Sequence, residues 1–164
     1  MLMKLKNFAF WIVYILIIIY LMVYIPTFWG HKPLVVISGS MTPVLKVGGI
    51  LYYHEQDMDD FKTGDILVYQ TKDHTISHRI VDRTETGFIT KGDANNTEDS
   101  NIVNYNQVLG KGTNWSIPLI GYYADFIYSH KYLLFISLAI TVLDLSSDMY
   151  ISHKKKVGVK DEKD

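Results

Sequence analysis

Apolar positions in this chain gather near its two ends, and between them they recur in short alternating runs. From residue 8 to residue 24 the sequence FAFWIVYILIIIYLMVY carries no charge. Continued to Trp29, it exceeds the roughly 20 residues a helix needs to cross a bilayer. Tryptophan and tyrosine stand near its ends, where amphipathic rings settle at headgroup level. The run is longer than the ~7–15 apolar residues of a cleavable signal peptide, and Pro26-Thr27-Phe28-Trp29 offers no small-residue cleavage site. A retained anchor over 8–29 is therefore expected. Lys4 and Lys6 precede it, so the positive-inside rule keeps residues 1–7 in the cytoplasm and exports the chain beyond the anchor.

The middle of the chain has a different period. Residues 34–37, 49–53, 65–69, 77–81, 87–90 and 108–111 are β-branched and aromatic runs separated by Gly, Asp and Asn turns. They predict a mainly β fold, an antiparallel domain over 30–129. A second apolar stretch, 132–143, is short, and bringing it to about 20 residues means including Asp144 and Asp148. A second transmembrane helix over 130–151 is expected, because an Asp near the headgroups costs far less than one at the bilayer centre. Lys154, Lys155 and Lys156 suit a cytoplasmic flank. The alternative is an amphipathic helix lying on the membrane, continuous with 120–128, whose aromatics fit an interface. The polar tail, 152–164, is expected to be cytoplasmic and disordered.

With 164 residues, the chain has room for one domain of about 100 residues once the membrane segments are set aside. A net charge of −1 without a basic stripe gives nucleic acid no electrostatic foothold, so no such partner is expected. The absence of cysteine excludes disulfides, Cys-ligated zinc and a thiol nucleophile.

The remaining chemistry is carried by hydroxyl, imidazole and carboxylate. Ser38-Gly39-Ser40-Met41-Thr42-Pro43 sets a hydroxyl in a tight glycine turn just beyond the anchor. Alone, this is an ordinary turn sequence. Downstream, Ser77-His78-Arg79-Ile80 adds a histidine, and the turn-rich 91–99 segment adds Asp93 and Asp99, which together offer a nucleophile, a base and an orienter. A strand through Ile76, His78 and Ile80 points all three to one face, where His78 is either a partly desolvated base or a structural histidine bonded to backbone. His74 and His78 have the i,i+4 spacing of a helical zinc pair. However, no glutamate occupies the H-E-x-x-H place and the surrounding residues favour a strand, so no metal and no cofactor are expected.

The boxes occur in a telling order: anchor, S-G-S-M-x-P, G-D-I-L-V at 64–68, S-H-R-I at 77–80, and K-G-D-A-N-x-x-x-D at 91–99. In this order, over roughly residues 8–121, the chain closely resembles the type I signal peptidases. More narrowly it resembles the endoplasmic-reticulum-type branch, found also in archaea and some Gram-positive bacteria, where histidine replaces the usual bacterial lysine. His78 occupies that position.

The resemblance implies Ser40 as acylating nucleophile, His78 as general base, Asp99 as its orienter, and Asp93 in a supporting place. Ser38 and the Ser40 backbone N–H match the family's oxyanion donors. Glu98, next to Asp99, is a second carboxylate in the same turn-rich segment, and Lys91 is a solvated or structural cation. The implied activity is a membrane-bound serine endopeptidase, multi-pass with its catalytic domain on the extracytoplasmic face. It would remove signal peptides through an acyl-enzyme. Its partners would be signal-peptide-bearing preproteins and the lipid bilayer, and the eukaryotic relatives' membership of a complex opens the possibility of partner subunits. Two alternatives stand beside it: a processing peptidase dedicated to a few substrates such as pilins or matrix proteins, and a catalytically silent, membrane-tethered binding domain. Small-residue cleavage sites ask for shallow pockets, which Val35, Ile37, Val68 and Ile80 would line unless they pack the core.

Overall fold

In the computed structural model, which describes residues 2–161, seven strands form one antiparallel sheet in the order β1-β2-β7-β3-β4-β5-β6. They are β1 (Lys32–Val35), β2 (Ile50–His54), β3 (Ile66–Gln70), β4 (Thr75–Arg83), β5 (Gly87–Lys91), β6 (Val103–Asn104) and β7 (Val108–Gly112). All six expected strands are present. The two-residue β6 lies in a polar stretch with no alternation, so the sequence carries no sign of it; its Val103 is buried against the same core as Phe88.

The apolar pattern explains why the sheet is covered on both faces. Along β3, Ile66 and Val68 enter one cluster with Val36, Met41, Leu45 and Leu51, while Leu67 and Tyr69 enter another with Phe61, Ile80, Phe88 and Val103. Successive strand residues alternate faces, so a strand buried on both reads as a continuous apolar run. A third cluster joins Ile50 and Tyr52 to Val23 and Ala124. Val68 and Ile80 are 0% and 2% exposed within these cores. They pack the core and are not among the residues lining the two clefts beside Ser40 and His78, so of the two readings open for them it is the packing one that holds.

The sheet belongs to a compact unit, Tyr20–Phe126; a second unit holds the chain up to Ile19 and from Ile127 on. Helix α1 (Leu2–Tyr24) runs into a 3-10 turn, Ile25–Trp29, which carries Pro26 at its start and ends on Gly30 at φ 78°. That positive φ is the left-handed conformation glycine adopts without strain. Among the described residues, Phe10–Trp29 is the one helical stretch long and apolar enough to cross a membrane, and Trp11, Ile15, Ile18 and Leu21 along it are exposed.

Helices α2 (Ile120–Ser129) and α3 (Lys131–Asp161) are separate, not one continuous amphipathic element. Helix α3 continues through most of the tail expected to be disordered. Once a helix is nucleated, each further turn adds bonds without a new nucleation cost, so a polar sequence can extend it.

Candidate active site

The turn bearing Ser40 grows directly out of β1. Beyond Val35 the chain stays tied to its neighbour through Val36 N–H to the Gly49 carbonyl and Gly48 N–H to the Val36 carbonyl, both 2.8 Å. It then turns, with Thr42 N–H donating to the Gly39 carbonyl at 3.0 Å and Leu45 N–H to that of Met41 at 2.9 Å. Met41 and Leu45 plug the core beneath, so the turn is seated on packed side chains at both ends. Close backbone approach occurs at Gly92 and not at Gly39, which has ordinary clearance. There, Ala94 N–H donates to the Ser40 carbonyl at 2.8 Å and docks the 92–99 loop onto the turn.

His78 sits mid-strand on β4, opposite Leu67 of β3, and is buried. Its Nε2 lies 3.1 Å from Ser40 Oγ and its Nδ1 lies 2.6 Å from Asp99 Oδ2. An imidazole whose Nδ1–H donates to a carboxylate leaves Nε2 free to accept the serine proton, so the arrangement suits activation of a hydroxyl nucleophile. Asp99 is held in turn by its own N–H to the Thr90 carbonyl at 2.8 Å, by the Thr90 hydroxyl at 2.7 Å, and by the Tyr69 hydroxyl at 3.4 Å. Burial pushes the Tyr69 phenol up to about 12. Ser38 Oγ is 3.2 Å from Ser40 Oγ.

The other candidate residues stand apart from this line. Asp93 takes both ends of the Arg79 fork, Nε to Oδ1 at 2.7 Å and Nη2 to Oδ2 at 2.6 Å. The same bond to Asp93 raises the Arg79 guanidinium above its ordinary range. Glu98 is exposed, and the carboxylate on His78 belongs to Asp99. Lys91 stands on β5 opposite Arg79. His74 lies in the turn just before β4, so it and His78 do not form the helical pair a zinc motif needs.

Sequence reasoning missed Tyr69, Thr90 and Arg79. Thr90 left a trace: it is the polar residue on the inward face of β5, two positions from the buried Phe88, and a buried hydroxyl needs a partner.

Two clefts flank the serine and histidine. One, of about 300 Å³, runs along the chain leaving β1 and the start of β4, and is lined by Val35, Ile37, Ser38, Met41 and Ile76 beside Ser40. The other, about 800 Å³ and more polar, opens on the Asp99 side between Lys72, Glu98 and Asn101.

No family model matches the chain. It is 33% identical over 127 residues to signal peptidase I W of Bacillus subtilis, a match covering 69% of this chain and 67% of that protein. It is 32% identical over 120 residues to the signal peptidase complex catalytic subunit SEC11 of Metarhizium acridum, covering 65% and 69% of the two chains. The SEC11 subunit of Lodderomyces elongisporus is 33% identical over 120 residues, covering 64% of this chain and 71% of its own length.

Proposed function

Because the chain belongs to the type I signal peptidases, in their endoplasmic-reticulum-type branch, we propose that Ser40, His78 and Asp99 are the nucleophile, base and orienter of its reaction. It is a membrane-bound serine endopeptidase that removes signal peptides. The observation that carries the assignment is the unbroken line of hydrogen bonds from Ser40 Oγ through both ring nitrogens of His78 to Asp99 Oδ2.

His78 Nε2 takes the hydroxyl proton as Ser40 Oγ attacks the scissile carbonyl. The oxyanion is met by the Ser40 backbone N–H and the Ser38 hydroxyl, and preorganised donors of this kind carry much of such a barrier reduction. His78 then returns the proton to the leaving amine, the mature chain departs, and the acyl group remains on Ser40. A water molecule, deprotonated by His78, releases the signal peptide and restores the serine. Throughout, Asp99 keeps the Nδ1–H tautomer and offsets the charge of the transient imidazolium.

The substrate lies in the smaller cleft. Residues 75–77 of β4 pair with β3 on one side, whereas the pairing with β5 begins only at Arg79, so their other edge is open to an added strand. Val35 and Ile37 form shallow apolar walls suited to small residues before the scissile bond. In the membrane, 8–29 and 130–151 span the bilayer, 1–7 and 152–164 are cytoplasmic, and 30–129 faces outward. Supporting the second span, exposed apolar side chains lie on more than one side of α3, with Ile136, Ile140 and Leu143 away from the Phe135 and Leu138 stripe, as suits a helix surrounded by lipid. Asp93 and Arg79 act on the shape of the loop that carries Asp99.

The test is the full chain in proteoliposomes with a panel of signal-peptide-bearing precursors, wild type against Ser40→Ala. Wild type is expected to release mature protein with Ser40→Ala inactive yet folded and inserted. Processing by the variant at the wild-type rate would remove Ser40 from the chemistry.

A further inference from the structure

We propose that Tyr69 and Thr90 are positioning residues for the cleavage reaction, each donating a hydrogen bond to the carboxylate oxygen of Asp99 that also holds His78. This role rests on the reading of Asp99 as the orienter of His78.

Three donors converge on one atom, Asp99 Oδ2: His78 Nδ1 at 2.6 Å, the Thr90 hydroxyl at 2.7 Å and the Tyr69 hydroxyl at 3.4 Å. They come from three adjacent strands: Tyr69 from β3, His78 from β4 and Thr90 from β5. Asp99 itself lies in the 92–102 segment, which has no strand or helix of its own. The carboxylate is thereby fixed to the sheet that carries the base, not to the loop that carries Asp99. Thr90 holds the residue twice, through its carbonyl to Asp99 N–H at 2.8 Å and through its hydroxyl.

Thr90 is also committed by burial: it is 0% exposed, so its hydroxyl cannot trade Asp99 for bulk water without loss. Tyr69 is 5% exposed and borders the polar cleft on the Asp99 side. The phenol stays protonated across the working range, since burial moves its ionisation far to the alkaline side. A carboxylate so held keeps the imidazole within the narrow geometry that proton transfer needs, where a shift of about 1 Å costs on the order of a hundredfold in rate.

The experiment measures kcat and KM separately for the full chain in proteoliposomes, below the melting point of each variant. Thr90→Val is expected to lower kcat about tenfold to a hundredfold with KM unchanged, the range for a hydrogen bond to a charged group. Thr90→Ser, which restores the hydroxyl, should return most of that loss. Tyr69→Phe should lower kcat roughly threefold to tenfold, less because its bond is longer. A role in packing alone would predict equal losses in Thr90→Val and Thr90→Ser, or wild-type kcat in Thr90→Val and Tyr69→Phe, and either result overturns the proposal. If Thr90→Val does not fold, Tyr69→Phe decides alone. Asp99→Asn separates the two levels: full activity there defeats the orienter reading itself. If Asp99→Asn is impaired while Thr90→Val and Tyr69→Phe behave as wild type, only the positioning role fails.

Discussion

Gly92 and Ser40 meet backbone to backbone: a Cβ built on Gly92 would lie 2.7 Å from the Ser40 carbonyl oxygen and 2.8 Å from Asn95 Nδ2. No methyl group fits there without moving the carbonyl that receives Ala94 N–H, and with it the serine. Gly92→Ala should therefore lower kcat by ~10² or more, in line with a displacement of about 1 Å at the reacting centre. Gly39 is next to Ser40 in sequence, yet its nearest neighbour for a Cβ is Thr42 Oγ1 at an ordinary 3.5 Å. Gly39→Ala should keep most of the activity. Steady-state cleavage by the two purified variants checks the ordering, and the reverse order would show that the serine turn, not the 92–95 contact, is the tight point.

Arg79 ties three segments together. Beyond the fork on Asp93, its Nη1 donates to the Gly64 carbonyl at 2.6 Å and to Asn114 Oδ1 at 3.5 Å. Asp93→Asn keeps the shape but gives up the charge-assisted pair, so stability should fall by about 1.5–3 kcal/mol, with activity declining alongside as the 92–99 loop loosens. Arg79→Lys should not rescue the loss, because an ammonium cannot reproduce two parallel bonds. Thermal melts and cleavage rates on the same samples test this; an Asp93→Asn protein as stable as wild type but inactive would place Asp93 in the chemistry instead.

The legible and illegible parts of this molecule separate along physical lines. Runs such as Ile66-Leu67-Val68-Tyr69 announce a strand because burial on both faces demands apolar side chains at every position. His78 is placeable because its neighbours Ile76 and Ile80 fix which way a strand turns it. The choice between Glu98 and Asp99 is not, since both occupy an irregular segment where no period decides direction. Tyr69 is hidden for the opposite reason, since its local pattern is that of an ordinary core position; Thr90 shows only as a polar residue on the inward face of β5, and the pairing of β3, β4 and β5 is what brings both hydroxyls onto one carboxylate. The short β6 exists through its partner β5, and nothing in Val103-Asn104 alone calls for it.

Ser38 is exposed and its hydroxyl lies 3.2 Å from that of Ser40, on the rim of the smaller cleft. Removing one oxyanion donor typically costs about 10²–10³ in rate. Ser38→Ala should lose kcat in that range while KM and stability hold, a milder outcome than Ser40→Ala. A rise in KM at constant kcat would instead make Ser38 a contact for the bound substrate.

Topology has a direct readout. If both 8–29 and 130–151 span the membrane, a tag after residue 164 is cytoplasmic. Protease added to intact cells or right-side-out vesicles should leave that tag in place while cleaving accessible loops of the 30–129 region. Loss of the tag with the membrane still sealed would put α3 on the outer face. It would then lie along the interface, with Asp144 and Asp148 among the headgroups and not close to the span.

Tyr69 also predicts an alkaline signature. In the unfolded chain a tyrosine ionises near 10.0, whereas burial in the folded protein pushes Tyr69 up to about 12. The folded state thus holds the phenolic proton more tightly. Below pH 10 both states keep it, and the neutral hydroxyl contributes fully. Between about pH 10 and 12 the unfolded chain gives up the proton first, so stability is lost as pH rises through that window. Phenylalanine cannot titrate. Tyr69→Phe should be the less stable protein at neutral pH, because the bond to Asp99 is gone. The gap to wild type should then narrow from pH 10 upward. Urea melts of both proteins at pH 8, 10 and 11 give the comparison, in which Tyr52 and Tyr123, also raised by burial, cancel between the two chains. A gap that stays constant across the series would mean that Tyr69 reaches solvent freely and does not bond Asp99 from within the core.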